Sequence, residues 1–164
     1  MKQILVLIIL FSAQSYANDR RQTQVLLDNV GELVENNRYE QAAQLLADDK
    51  NDHISTGYRA LSVYIRIYSK EKNKYQLAEK YAAKGCNAGD HHSCREQARL
   101  LVRINKYSEA ESIFIKIANA YSDPVSAGEL VSLYHNRNWD GFNEEKAKYW
   151  QHKVPEFAKK QSNK

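Results

Sequence analysis

The chain has 164 residues, of which 43% are hydrophobic and 27% are charged, and its formal net charge is +4. This length suits one domain with its own hydrophobic core. Six glycines and two prolines are too few for a turn-rich β-sandwich, and the apolar content together with eleven tyrosines argues against a disordered chain. The small excess of positive charge does not indicate nucleic-acid binding, so we expect no nucleic-acid partner.

The N-terminal residues have the pattern of a cleaved signal peptide. Lys2 supplies the positive start, residues 4–11 are an unbroken apolar run, and Ser15-Tyr16-Ala17 places small residues at the −3 and −1 positions of a cleavage site. This run is too short to cross a membrane, which takes about 20 residues. We therefore predict a signal peptide over residues 1–17, no membrane span, and a mature chain in the bacterial periplasm or outside the cell. A buried N-terminal helix is the alternative.

A six-residue segment recurs along the chain. Asn37-Arg38-Tyr39-Glu40-Gln41-Ala42 is followed by Asn73-Lys74-Tyr75-Gln76-Leu77-Ala78 and by Asn105-Lys106-Tyr107-Ser108-Glu109-Ala110. The tyrosines lie 36 and then 32 residues apart, and a looser fourth copy follows at residues 140–147. A step of about 34 residues is typical of helix-turn-helix repeats. The asparagine would form a turn, the aromatic residue would anchor the next helix, and the alanine would allow a close helix approach.

Hydrophobic periodicity predicts a pair of helices around each copy, one before it and one leading out of it. Gly89-Asp90 is expected to end one helix and cap the next, and Asp123-Pro124 is expected to begin another helix. The predicted fold is therefore all-α, a solenoid of about four antiparallel helix pairs over residues 18–158, with a disordered basic tail at residues 159–164. The tyrosines expected in the core are Tyr64, Tyr68, Tyr81 and Tyr149.

The middle of the chain resembles a known repeat family. It contains an aromatic residue followed by Ala82-Ala83-Lys84-Gly85, then a Gly89-Asp90 turn, and two cysteines eight residues apart. Over residues 73–102 these features resemble the Sel-one-like repeat, a relative of the tetratricopeptide repeat, in its secreted, cysteine-containing bacterial members. Residues 145–150 are similar to the lysine-alanine-aromatic helix of that family. The resemblance implies an α-solenoid that binds other proteins.

Cys86 and Cys94 are the only cysteines in the sequence. One is expected to end a helix and the other to begin the next one, and the turn at Gly89-Asp90 would bring these helix ends together. We predict a disulfide between them, as is usual in an oxidising compartment. A metal site that adds His91 or His92 is one alternative, and a redox-active pair, which would want a shorter spacing, is another. We predict no metal and no cofactor.

The common catalytic motifs are missing from the sequence. No Gly-x-Ser-x-Gly, phosphate-binding glycine loop or His-Glu-x-x-His occurs in the sequence. We therefore predict that the protein is not an enzyme. The resemblance supplies an alternative, because some secreted members of the cysteine-rich family are linked to β-lactam binding or hydrolysis. A β-lactam-binding or hydrolysing enzyme is therefore kept as a second interpretation.

Arginines recur on the helices expected to line the inner face of the solenoid, which in tetratricopeptide-type proteins is the first helix of each pair. The predicted partner-binding residues are Tyr58, Arg59, Arg66, Arg95, Arg99 and Arg103. The last three recur every four residues and would form one basic stripe. The planar fork of arginine and the rigid ring of tyrosine are favoured at interfaces, so this surface would suit an acidic protein segment. An ordinary solvated helix face is the alternative.

These features together predict a non-catalytic periplasmic repeat protein that binds another protein, as an adaptor or scaffold of the bacterial envelope. The resemblance implies a further possibility, since repeat proteins similar to the Sel-one-like family serve as immunity partners of secreted phospholipase effectors. The alternative function is therefore an immunity protein that neutralises a secreted toxin acting in the periplasm. The sequence leaves the partner and the oligomeric state open.

Overall fold

The computed structural model describes residues 24–48 and 53–162, so the signal peptide predicted over residues 1–17 lies outside the described residues. Within the described residues every regular element is a helix, and there are eight of them. They are α1 (residues 24–35), α2 (Tyr39–Asp48), α3 (Ile54–Tyr68), α4 (Lys74–Asn87), α5 (His91–Arg103), α6 (Tyr107–Tyr121), α7 (Pro124–Tyr134) and α8 (Glu144–Ser162). The predicted all-α class is therefore confirmed for this part of the chain.

The apolar faces of the helices form two buried clusters, and successive helices from α2 to α8 contact one another. The N-terminal cluster takes its residues from α1 to α5, and the C-terminal cluster takes its residues from α5 to α8 and the turn before α8. Leu100 of α5 is buried in the N-terminal cluster, whereas Ala98 and Leu101 are buried in the C-terminal cluster. Helix α5 therefore connects the two halves of the core.

The recurring Asn-basic-Tyr segment forms the same turn in two of its copies. Asn37 and Asn105 adopt left-handed backbone conformations, with φ of 57° and 61°, which asparagine tolerates better than most residues. In each copy the tyrosine two residues later donates a hydrogen bond from its hydroxyl group to the asparagine Oδ1. The distance between the two oxygens is 3.0 Å for Tyr39 and 2.7 Å for Tyr107. The predicted turn is confirmed at these two copies, while Asn73 of the other copy keeps a φ of −98°.

Aspartates begin α5 and α7. The Asp90 side chain accepts hydrogen bonds from the backbone N–H groups two and three residues later, and Asp123 accepts one from the backbone N–H of Ser126. Gly89 ends α4 with a φ of +94°, a conformation that glycine adopts at little cost. Pro124 is the first residue of α7, where its missing N–H is not needed. Both predicted helix boundaries are therefore confirmed.

Two tyrosines that the periodicity predicts in the core lie at the surface. Tyr68 is 56% exposed and Tyr149 is 54% exposed, whereas Tyr81 is buried and Tyr64 is half-buried. Tyr68 is the last residue of α3, beyond the part of the helix that packs. Tyr149 precedes the buried Trp150, and adjacent helix positions point about 100° apart, so only one of them faces the core. The prediction is wrong for Tyr68 and Tyr149.

The C-terminal part of the chain differs from the prediction in two places. Helix α8 continues to Ser162, so residues 159–162, predicted as a disordered tail, are helical instead. The aromatic residue buried at the fourth copy is Trp139, whereas Phe142 of the copied segment is 38% exposed. Neither α8 nor any other helix of the described residues is long and apolar enough to cross a membrane.

Candidate interaction surface

An open groove with a volume of about 590 Å³ is lined mainly by residues of α3, α5 and α7. Arg66 enters it from α3, Arg99 and Arg103 enter it from α5, and Glu129 enters it from α7. Leu133 of α7 adds apolar surface. The structure thus brings three of the six predicted partner-binding residues into one groove.

Two ion pairs join the three helices within this groove. Nε of Arg66 lies 2.9 Å from Oε1 of Glu96, and Nε of Arg99 lies 2.7 Å from Oε1 of Glu129. Both partners of the second pair lie 33 residues after those of the first, close to the repeat step of the sequence. Hydrogen bonds between charged groups are stronger than neutral ones. The same contact therefore links α3 to α5 and α5 to α7.

Two more ion pairs lie at the N-terminal ends of α5 and α7. Nε of Arg59 lies 3.7 Å from Asp90, and Nη1 of Arg95 donates to both carboxylate oxygens of Asp123 at 3.0 Å. The Arg95 and Asp123 side chains are only 14% and 7% exposed. Burial raises the pKa of Asp123, but hydrogen bonds from Ser126 and the charge of Arg95 outweigh burial and hold that pKa below its ordinary value. Asp123 is therefore ionised and fixes Arg95.

We call these four ion pairs the arginine ladder. Because of them, the stripe predicted to be basic contains carboxylates as well as arginines. Arg95 contacts the carboxylate of Asp123, which caps α7, and Arg99 contacts the carboxylate of Glu129 within α7. Arg103 is exposed and, among the described residues, forms no ion pair. The stripe is therefore of mixed charge, and its excess positive charge lies at Arg103. The partner-binding role of these arginines stays a prediction.

Tyr58 lies in a different cluster from the arginines. The Tyr58 hydroxyl donates a hydrogen bond to Oε2 of Glu40 at 2.8 Å. The ammonium group of Lys84 pairs with Glu40 as well and lies 5.4 Å from the centroid of the Tyr58 ring. The ring of Tyr58 lies 6.3 Å from that of Tyr81, and burial raises the pKa of Tyr81 to about 12. Tyr58 therefore bridges α2 and α4. Tyr58 is not among the residues that line the groove, and its partner-binding role stays a prediction.

The two cysteines lie where the sequence predicts them. The Sγ atoms of Cys86 and Cys94 are at disulfide distance, 2.03 Å, and link the last turn of α4 to the first turn of α5. His91 stacks on Tyr121 with 4.6 Å between ring centroids. Nδ1 of His92 accepts a hydrogen bond from Arg95 of α5. Within the part of the chain that the structure describes, no group of three or more His, Cys, Asp or Glu side chains is arranged to hold a metal ion.

A Ser-x-x-Lys spacing, which occurs in some serine enzymes, is present at Ser69-Lys70-Glu71-Lys72. Ser69 is the C-cap of α3, and its Oγ accepts a hydrogen bond from the backbone N–H of Glu71 at 3.2 Å. Lys72 is exposed in the turn before α4. The hydroxyl oxygen of Ser69 therefore stabilises the turn between α3 and α4.

The carboxylates of the arginine ladder are the residues that sequence reasoning missed. Glu96 is 8% exposed although a glutamate in an arginine-rich helix suggests a solvated position. Asp123 is expected only as a helix cap, yet it also binds Arg95. The sequence did contain one signal for these ion pairs. Glu96 and Glu129 are separated by the same number of residues as Arg66 and Arg99, which indicates a repeated arginine–glutamate contact.

No family model, curated protein sequence or solved structure matches this chain. The resemblance to Sel-one-like and tetratricopeptide repeats therefore rests on the motifs of the sequence alone and stays a prediction.

Proposed function

We propose that this chain is a non-catalytic protein-binding repeat protein, an α-solenoid of four antiparallel helix pairs that acts as an adaptor in the bacterial envelope. The observation that carries the proposal is the groove of α3, α5 and α7, in which one arginine–glutamate pair recurs at the repeat spacing. Repeat proteins use such extended surfaces to bind partners. An extended segment of another protein would meet equivalent groups at regular intervals along this groove.

The groove favours an acidic segment. Arg66 and Arg99 contact their glutamates through Nε, which leaves N–H groups at the end of each guanidinium for a partner. Arg103 forms no ion pair with any described residue, so a partner carboxylate would bind it without displacing another. Leu133 offers an apolar contact beside these groups. Together these groups supply charge, hydrogen bonding and apolar contact for one extended chain.

Export is a separate part of the proposal. The signal-peptide pattern of residues 1–17 and the cysteine pair at disulfide distance both agree with an oxidising compartment outside the cytoplasm. Expression of the full chain in a bacterium, followed by fractionation and N-terminal sequencing, tests it. We expect a periplasmic or secreted product that begins at Asn18, and a cytoplasmic product with an uncleaved N-terminus would contradict the proposal.

Capture of partners from periplasmic extract tests the groove. The mature, oxidised chain is immobilised as wild type, as Arg103→Glu, and as the control Lys116→Glu, which reverses an exposed charge on α6. We expect wild type and the control to retain the same protein at near-equal stoichiometry, and Arg103→Glu to lose it. Because the contact is electrostatic at an exposed position, retention by wild type should also fall as salt rises.

The outcomes of this capture separate the candidate functions. Envelope assembly factors would support the adaptor function, and a single toxin-like partner would support the immunity function instead. A partner retained equally by all three chains would show that binding uses another surface. Retention of no protein would contradict both binding functions and would turn attention to small ligands, including β-lactams.

A further inference from the structure

A second surface, formed by α1 and α3, lies apart from the groove. Tyr68 and Ile67, at the C-terminal end of α3, are 56% and 52% exposed. The ring centroids of Tyr64 and Tyr68 lie 4.9 Å apart. The Tyr64 hydroxyl reaches α1 at Gly31, where an added Cβ atom would lie 2.7 Å from it. The half-buried Tyr64 and the exposed Ile67 and Tyr68 thus form an apolar face bordered by α1, which we call the tyrosine patch.

Carboxylates of α1 border the tyrosine patch. Asp28 lies three residues before Gly31 and Glu35 lies four residues after it, which places both on the side of α1 that meets Tyr64. Burial raises the pKa of Tyr64, and the negative charges of Glu35 and Asp28 raise it further. Among the described residues, Asp28, Glu32 and Glu35 take part in none of the ion pairs. The patch therefore combines one exposed and one half-buried tyrosine ring with the negative charge of the α1 carboxylates.

We propose that the tyrosine patch binds arginine side chains of a protein partner. A guanidinium stacks on tyrosine rings and pairs with nearby carboxylates, and arginine is more weakly hydrated than lysine, so it leaves water more easily. Charge complementarity identifies the occupant, because the chain as a whole has a formal net charge of +4 and attracts a cation only where its local charge is negative. This inference rests on the proposed function, since it adds a second surface to the binding of a protein.

The tyrosine patch and the groove prefer opposite charges and share α3. Arg66 lies in the groove, and Tyr68, two residues later, lies in the patch. A partner segment that crosses the C-terminal end of α3 would place acidic residues against the groove and arginines against the patch. Such a charge pattern fixes the direction in which the segment lies, because the reversed segment would set like charges against each other.

Binding of a fluorescein-labelled tetra-arginine peptide to the mature, oxidised chain tests the patch. Fluorescence anisotropy is measured at ionic strengths of about 10 mM and about 150 mM. We expect saturable binding that weakens at the higher ionic strength, and none for a tetraserine peptide. Tyr68→Ala should raise the Kd about fivefold by removing one stacking ring. Asp28→Asn combined with Glu35→Gln should raise the Kd about tenfold.

Matched controls separate the patch from general effects of charge and aromatic content. Tyr121→Ala removes a tyrosine that is 47% exposed elsewhere, and Asp140→Asn with Glu145→Gln removes two exposed carboxylates far along the chain. Both controls should keep the Kd within about twofold of wild type. The proposal is overturned if the peptide does not bind, if the patch variants bind like wild type, or if the controls weaken binding equally.

Arg103→Glu distinguishes failure of the patch from failure of the groove. This change should abolish capture of the natural partner while leaving tetra-arginine binding unweakened, because Arg103 belongs to the groove and not to the patch. If capture survives Arg103→Glu while tetra-arginine binding depends on Tyr68, the groove function is wrong and the patch stands. If capture depends on Arg103 and the peptide does not bind, the patch is wrong and the groove stands.

Discussion

The two buried clusters of this chain pack their helices in different ways. The N-terminal cluster contains the alanines Ala42, Ala43, Ala78 and Ala82, and its helices approach closely, because a Cβ atom at Gly57 would lie 2.2 Å from the carbonyl oxygen of Ala43. The C-terminal cluster also contains five alanines, but it buries five large aromatic residues, Phe114, Tyr134, Trp139, Trp150 and Phe157, where the buried residues of the N-terminal cluster include one, Tyr81. The first half therefore has a tight backbone contact at Gly57, and the second half buries more aromatic side-chain volume.

This difference predicts opposite sensitivities in the two halves. Closely packed backbones leave no room for added atoms, whereas a core of large rings loses most when a ring is removed. The N-terminal half buries fewer aromatic rings, so constraints other than burial matter more there. The Cys86–Cys94 link, between α4 and α5, lies in that half. Substitutions in each half can test the comparison directly.

The largest effect is expected in the C-terminal cluster. Trp150→Ala removes a side chain that is 5% exposed and leaves a cavity, so the free energy of unfolding should fall by about 3–5 kcal/mol. The neighbouring Tyr149→Ala is the control, because that ring is 54% exposed and its loss should cost less than about 0.5 kcal/mol. Urea unfolding followed by circular dichroism measures both. Equal losses would show that the aromatic cluster does not carry the stability of this half.

In the N-terminal cluster, adding one methyl group should be almost as damaging. Gly57→Ala would press a Cβ atom against the backbone of α2, and we expect a loss of about 2–3 kcal/mol in the free energy of unfolding. Gly128→Ala is the matched control, since open space surrounds that helical glycine, and it should gain about 0.5–1 kcal/mol. Thermal unfolding compares the two. A stable Gly57→Ala would mean that α2 and α3 can move apart freely.

Loss of the cysteine link should come next in size. The loop between Cys86 and Cys94 is short, and closure of a loop of this length stabilises a fold by about 2–3 kcal/mol in the chain-entropy model. Cys86→Ala with Cys94→Ala should lower the urea midpoint by the corresponding amount. Treatment of wild type with a reducing agent should lower it to the same point and should leave the double variant unchanged. An unchanged wild-type midpoint after full reduction would contradict this prediction.

Local signals in the sequence predicted the helices and turns, and long-range contacts limited the prediction of the surface. Asn37 and Asn105 identify turns because asparagine tolerates a left-handed backbone, which depends on neighbours in the sequence. The partner of Arg95 lies 28 residues away, and nothing local indicates that Asp123 would reach it. Periodicity also could not exclude Tyr68 from the core, because it identifies the apolar side of a helix but not how far along the helix the core extends.

The two capping aspartates offer a finer comparison across the same boundary. Asp123→Asn keeps a capping oxygen but removes the charge that binds the buried Arg95, so it should cost about 1–3 kcal/mol. Asp90→Asn loses the longer contact with the half-exposed Arg59 and one of the two oxygens that accept backbone N–H groups, and it should cost about 1 kcal/mol. Urea unfolding at neutral pH measures both, and equal costs would show that burial of the Arg95–Asp123 pair has no energetic consequence.

The same pair predicts an acid dependence. Because the folded state lowers the pKa of Asp123, its contribution is fully present above the ordinary aspartate value of 3.8 and is lost as the pH falls through the lower, folded-state pKa. Wild type should therefore lose stability over this acidic range by more than Asp123→Asn does. Identical acid unfolding curves for the two chains would assign the acid sensitivity to other carboxylates.

The smallest expected effect concerns His92, which lies beside the Asp90 cap. Burial lowers the pKa of His92, and the charges of His91, Arg95 and Arg59 lower it further, while Asp90 opposes them. The folded chain therefore binds fewer protons than the unfolded chain, so stability falls as the pH drops below the ordinary histidine value of 6.5. His92→Gln should reduce this fall between about pH 7.5 and pH 5.5, a range in which histidine is the main titrating side chain. If the variant keeps the full wild-type dependence on pH, the burial of His92 does not couple its protonation to folding.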